Sequence, residues 1–297
     1  MTRPLIVYIP GLLPKPDAAT HHAALFRCLK HGLQTADAER AAQLGDGTDS
    51  FALVPWTWGF YREHRDFALD APSVDAMLQF TSAPVSDVRE ARSLANRVDR
   101  MLRRVLNPFP SVGRFLADER ARIHIADLGR YRSNVDGAAS IVRSLLRDVL
   151  VSAFDAGRPT LLLAHSLGSV IAWDTLWDLS RIEHHPYRLD TLFTLGSPLG
   201  QRMVLQATHG YGLPAPECYP DNIDRWWNAS AEGDKTAAIE KLAPVFSGMH
   251  AMLEEQQDMI IQNWFRLDGE LNTHAEYGYL ANPEVARKVA DWLRRVS

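Results

Sequence analysis

Residues 160–173 read TLLLAHSLGSVIAW. A leucine-rich apolar run comes first, then Ala-His-Ser-Leu-Gly, then a second apolar run with helical spacing, so the stretch predicts strand, tight turn, helix. At the turn Ala164, Ser166 and Gly168 alternate as small, serine, small. A sharp backbone reversal requires small flanks, because larger side chains would collide there, and it leaves Ser166 alone at the tip. A serine hydroxyl is a weak nucleophile that must meet a base, a substrate carbonyl and backbone donors from different directions. A raised tip supplies those directions. The bland reading of the same residues is a buried strand followed by a helix that Ser166 merely caps.

Strand and helix signals alternate outward from this stretch. Residues 5–9 are apolar and broken by Pro10-Gly11, which predicts a buried strand delivering a tight loop. A helix over 18–33 with Asp17 near its start and a strand over 50–55 follow. From 56 to 126 the alternation lapses: Trp56, Trp58, Phe60, Tyr61 and Phe67 precede a proline-punctuated, helix-rich stretch, read as an insertion on the carboxyl edge of the sheet. Within it Val88, Ala91, Leu94, Val98, Met101, Leu102 and Val105 recur at helical spacing, with Arg89, Arg92, Arg97, Arg100, Arg103 and Arg104 elsewhere. Asp87, Glu90 and Asp99 interrupt that charge, so a solvated face is favoured over contact with an anionic membrane surface. The alternation resumes with a helix over 135–154, the serine strand and a helix over 167–179, then a strand over 189–195. After it come a loop over 201–222, a strand over 223–230, a strand-like run over 259–267 and a helix over 283–296. The expectation is one α/β domain with a mostly parallel, doubly wound sheet.

Ala-His-Ser-Leu-Gly between a strand and a helix resembles the nucleophile elbow of the α/β-hydrolase superfamily, to which many esterases and lipases belong, with Ala164 where Gly is usual. Gly-Ser-Pro-Leu-Gly at 196–200 is a second point of resemblance, and Thr-His-Ala-Glu-Tyr-Gly-Tyr at 273–279 resembles the superfamily's terminal histidine segment. The resemblance spans roughly residues 5–55 and 127–296; residues 56–126 match nothing in it. It implies a serine hydrolase whose catalytic residues run serine, acid, histidine along the chain. Ser166, Asp234 and His274 stand in that order, the last two in loops just past predicted strands, at the edge where open α/β sheets bind ligands. Glu232 is the reserve acid, and Thr236 stands where an apolar residue often follows the acid. The backbone N–H groups of Leu12 and Leu167 would bind an oxyanion, and Pro10, where the superfamily often has His, leaves that backbone donor intact. His165 is expected to point away from Ser166, and His21, His22, His184 and His185 to be surface residues. Trp58 and Phe60 are expected to line an acyl pocket under a helical lid.

The chain has 297 residues, 46% of them hydrophobic, enough for a large core, and a formal charge of −4 that gives nucleic-acid binding nothing to rest on. Two cysteines make neither a disulfide framework nor a four-cysteine zinc site, and no His-Glu-x-x-His or phosphate-cradling glycine loop occurs. No metal and no cofactor are therefore expected. The apolar run at the start is too short for a signal peptide, and no run approaches the ~18 residues of a membrane span, so a cytoplasmic location is expected. The expected substrate is a small-molecule or lipid carboxylic ester. The rivals are a thioesterase or acyltransferase with the same residues, and a catalytically silent interaction module on the same fold.

Overall fold

The computed structural model describes residues 2–94, 96, 98–99, 101 and 119–296. The strands of the main sheet are β1 (Leu5–Ile9), β2 (Phe51–Leu53), β3 (Thr160–His165), β4 (Leu189–Leu195), β5 (Ile223–Ala231) and β6 (Glu255–Ile261). They form one sheet in the order β2-β1-β3-β4-β5-β6, and every ladder in it is parallel. A separate antiparallel pair joins Arg266–Leu267 to Glu270–Leu271. The helices are α1 (Ala18–Ala36), α2 (Ala38–Gln43), α3 (Trp56–Tyr61), α4 (Ala71–Met77), α5 (Val85–Ala91), α6 (Glu119–Ser133), α7 (Ala138–Asp155), α8 (Leu167–Trp177), α9 (Arg202–Leu205), α10 (Glu276–Ala281) and α11 (Pro283–Val296). This is an α/β fold with a parallel sheet between helical layers.

Successive side chains of a strand point to opposite faces, so each apolar strand feeds two cores. Val7, Ile9, Leu162, Leu192 and Trp226 pack with Trp56, Phe60, Val142, Leu146 and Val170 on one face. Ile6, Tyr8, Leu161, Leu163, Phe193 and Trp227 pack with Leu25, Leu29, Tyr279, Val289 and Trp292 on the other. Helix α1 starts where the Asp17 carboxylate accepts from the N–H groups of Ala19 and Thr20, each at 3.1 Å. Strand order reverses between β1 and β3, since β1 is followed by β2 on one side and the chain returns to β3 on the other. The carboxyl ends flanking this switch point, where open sheets of this kind bind ligands, carry Gly11 and Ser166.

The residues read as an insertion contribute to both cores: Trp56 and Phe60 belong to the first and Val74 and Met77 to the second. The continuous arginine-rich helix expected over 88–105 is broken: α5 ends at Ala91, the Asn96 side-chain amide donates to the Glu90 carbonyl at 3.0 Å, and Ser93 Oγ accepts the Asn96 N–H at 3.4 Å. Side-chain bonds to backbone groups compete with the helical ladder there. Residues 95, 97, 100 and 102–118, and that part of the expectation, lie outside the described residues. The last strand of the main sheet runs over Glu255–Ile261 rather than 259–267, and residues 201–222 contain the short α9. Among the described residues no helix is long and apolar enough to cross a membrane.

Candidate active site

The reversal at Ser166 is as sharp as its small flanks suggested. Ser166 has φ 53° and ψ −126°, a conformation costing a non-glycine residue on the order of 1–3 kcal/mol, so its surroundings must impose it. Its N–H donates to the Leu195 carbonyl at 3.0 Å, and its carbonyl accepts from Ser169 N–H at 3.0 Å and Ser169 Oγ at 2.6 Å. Ser169 Oγ in turn meets Ser197 Oγ at 2.7 Å, so the Gly-Ser-Pro-Leu-Gly turn after β4 braces the serine turn. A methyl group at Gly168 would fall 2.5 Å from the Ile9 carbonyl oxygen, which is why only glycine fits where α8 starts against β1. Ala164 is fully buried in β3 opposite Ile9 and Thr194. The Ser166 hydroxyl makes no cap bond to α8, against the bland reading.

That hydroxyl is engaged elsewhere. Ser166 Oγ lies 2.9 Å from His274 Nε2, and His274 Nδ1 lies 2.8 Å from Asp234 Oδ2. An ionised carboxylate only accepts, so the neutral imidazole carries its proton on Nδ1 and leaves Nε2 free to accept from Ser166. Asp234 sits just past β5 and is completely buried. Its Oδ1 accepts from the N–H groups of Thr236 (2.8 Å) and Ala237 (3.1 Å), and Tyr279 donates its hydroxyl to Oδ2 at 2.7 Å. Burial pushes this carboxyl up, but the facing His274 and these donors outweigh it and hold the acid below its ordinary range. Gly196, with φ 58°, clears the approach: a methyl there would stand 3.0 Å from Asp234 Oδ2 and 3.1 Å from His274 Nδ1. The reserve acid Glu232 is bound to Arg92 and Gln262 instead.

The loop after β1 closes over the serine. A methyl at Gly11 would come 2.6 Å from Ser166 Cβ and 3.2 Å from Oγ. Leu12 follows directly, and Leu167 opens α8, where first-turn N–H groups have no intrahelical partner. From the aromatic stretch 56–61, Trp56 and Tyr61 hydrogen-bond to this loop: Trp56 Nε1 donates to the Pro10 carbonyl at 2.9 Å, and the Tyr61 hydroxyl accepts the Leu13 N–H at 3.1 Å. Phe60 is a core residue at 1% exposure, with Trp56 against its edge and the Arg130 guanidinium 4.1 Å from its centroid. Trp58 is 46% exposed and stacks on His64 at 4.5 Å.

Several residues at the site were given no part in it by the sequence. His165 is buried, its Nε2–H donating to the His274 carbonyl at 3.0 Å and its ring 4.8 Å from that of His274. Burial first, and the neighbouring His274 second, push its pKa down to about 3, so it stays neutral. His21, expected at the surface, is buried and meets Glu276 at 3.0 Å, as do Lys15 at 2.9 Å and the Tyr8 hydroxyl at 3.0 Å. Burial raises the Glu276 carboxyl, yet Lys15 and His21 carry it well below the ordinary range. This carboxylate ties the loop after β1 to the segment two residues past His274. The only trace of it in the sequence is its position inside the histidine segment. Tyr279 lies in the same segment. No protein-family model, no curated protein and no solved structure matches the chain, so geometry alone supports a functional reading.

Proposed function

We propose that the protein is a serine hydrolase of the α/β-hydrolase kind, cleaving a carboxylic ester. The observation that carries this reading is the line Ser166 Oγ, His274, Asp234, with contacts of 2.9 and 2.8 Å, on a serine held in a left-handed turn. The parallel sheet, with the serine at the end of β3 beside the switch point, supports the superfamily assignment. Ser166 Oγ attacks the ester carbonyl carbon while His274 Nε2 takes the hydroxyl proton, and the displaced electron pair moves onto the carbonyl oxygen. The N–H groups of Leu12 and Leu167 bind that oxyanion, and Asp234 keeps the imidazole in the needed tautomer and offsets its charge. Collapse breaks the bond to the alcohol, which leaves with the proton from His274. Water, deprotonated by His274, then attacks the acyl-enzyme and releases the acid, returning the proton to Ser166.

The test is a fluorophosphonate probe, followed by a panel of esters, thioesters and amides of graded acyl length. Labelling at Ser166 that vanishes in Ser166→Ala supports the hydrolase. Labelling at Ser169 or Ser197 that survives this change, or no labelling at all, overturns it. The panel separates an esterase from a thioesterase with the same residues.

A further inference from the structure

The Leu12 N–H belongs to the Gly11–Leu12 peptide. The peptides on both sides of it are held by one helix, α3. On the N-terminal side the carbonyl of the Pro10–Gly11 peptide accepts from Trp56 Nε1 at 2.9 Å. On the C-terminal side the N–H of the Leu12–Leu13 peptide donates to the Tyr61 hydroxyl at 3.1 Å. Because peptides are planar, fixing one group of a unit fixes the other, so the middle peptide hangs between two clamped planes. The Tyr61 hydroxyl has a single proton, and it goes to Asp127 Oδ2 at 2.8 Å on α6. That donation turns a lone pair of the tyrosine oxygen toward Leu13 and, being made to a carboxylate, strengthens it as an acceptor.

The clamp works against a local preference. Leu13 has φ 75°, in the left-handed region that leucine avoids, and 45% of the residue is exposed. With that side chain largely open, the contact that holds its backbone N–H is the bond to Tyr61. Without that bond the Leu12–Leu13 plane is free to rotate toward the ordinary region, carrying the Gly11–Leu12 peptide with it.

We infer that Tyr61 is a positioning residue for the oxyanion site: it holds Leu13 left-handed and thereby aims the Leu12 N–H, with Asp127 setting the direction of its hydroxyl. This rests on the serine-hydrolase reading above. It assigns the polar edge of the aromatic stretch to transition-state geometry rather than to an acyl pocket.

Tyr61→Phe removes one oxygen and keeps the ring. Removing an oxyanion donor outright costs about 10²- to 10³-fold, so mis-aiming one is expected to lower ester kcat by about tenfold to thirtyfold, with KM within about twofold. Rates are counted per active site titrated with fluorophosphonate, which discounts misfolded protein. In the Tyr61→Phe background Leu13→Gly is expected to recover at least about threefold of the lost kcat, because glycine enters the left-handed region freely. A Tyr61→Phe rate per titrated site within about twofold of wild type overturns the inference, as does a loss confined to KM or one that Leu13→Gly deepens. If wild-type protein neither labels at Ser166 nor turns over esters, the serine-hydrolase reading itself has failed, a result distinct from these.

Discussion

The two sides of Ser166 are built differently. On the His274 side the proposed function rests on side chains held by their neighbours: Asp234 is bound by Tyr279 and two backbone N–H groups, and Gly196 has no side chain to crowd the acid and the imidazole. On the β1 side the proposed function rests on backbone N–H groups, and side chains from distant segments serve as supports: Trp56 and Tyr61 from α3, and Glu276 through Lys15. A side-chain site writes its residue types into the sequence, whereas a backbone site writes only those of its supports. Ser166, Asp234 and His274 were therefore legible by type and order, and the clamp on Leu12 was not.

The largest expected effect tests the His274 side. Because nucleophile and base act as one unit, His274→Ala should lower ester turnover by about 10⁵- to 10⁶-fold, about as much as Ser166→Ala. Asp234→Asn should cost about 10⁴-fold, as expected when the imidazole loses its oriented tautomer. Steady-state kcat on the best ester of the panel reads both. A larger loss from Glu232→Gln than from Asp234→Asn would move the acid to the other carboxylate and undo the contrast.

The same contrast explains what else could be read. Strands β1, β3, β4 and β5 are buried on both faces, so their apolar runs stood out. Strand β6 is at the edge of the sheet, and its Glu255, Gln256, Gln257 and Asp258 gave no apolar signal, so only its end at Met259–Ile261 was visible. Past Ile261 the chain leaves the sheet, and there the Asn263 amide donates to the carbonyls of Thr273 and Ala275, a contact no local pattern encodes. The aromatic stretch 56–61 announced apolar surface but not direction. Helical geometry sends Phe60 into the core, Trp58 outward, and Trp56 and Tyr61 to the β1 loop. His21 and Glu276 are polar types at positions where sequence alone favours a solvated residue, and only their mutual burial makes them a network.

A mid-sized effect tests the β1 side. Gly11→Ala puts a methyl 2.6 Å from Ser166 Cβ, closer than atoms can stand, so loop or nucleophile must move. Displacement of reacting groups by about an ångström costs about a hundredfold, which is the loss expected in kcat/KM. Thermal unfolding should change far less, since the methyl is accommodated by shifting a loop and not a core strand. A Gly11→Ala enzyme within threefold of wild type would mean that the β1 loop does not contribute to the reaction geometry, and the backbone half of the comparison would fall.

The smallest effect on rate comes from the residue that touches both sides. His165 donates from Nε2 to the His274 carbonyl, its Nδ1 has no hydrogen-bond partner among the described residues, and a methyl on Gly11 would stand 3.0 Å from that nitrogen. A buried neutral imidazole between two polar loops should be visible in stability before it is visible in catalysis. Its folded pKa is depressed to about 3, from an unfolded value of ~6.5. The stability it permits is therefore fully present above the unfolded value and is lost as pH falls toward the folded one, because the unfolded chain takes up a proton that the folded one refuses. The slope is about 1.4 kcal/mol per pH unit. Asp234 and Glu276, also held low, add acid lability only below the ordinary carboxylate range, and Asp174, which burial pushes up to about 6, and His209, raised by its bond to Asp178, titrate alike in both proteins, so from pH ~6 to ~4.5 the difference between wild type and a His165 variant isolates the histidine. His165→Gln keeps a donor for the His274 carbonyl and does not titrate. Urea unfolding at a series of pH values should show wild type losing stability across that interval relative to His165→Gln, with kcat at pH 8 changed only a few-fold. Parallel stability curves would show that His165 takes up a proton as freely folded as unfolded, and it could not then be the neutral brace between the two loops.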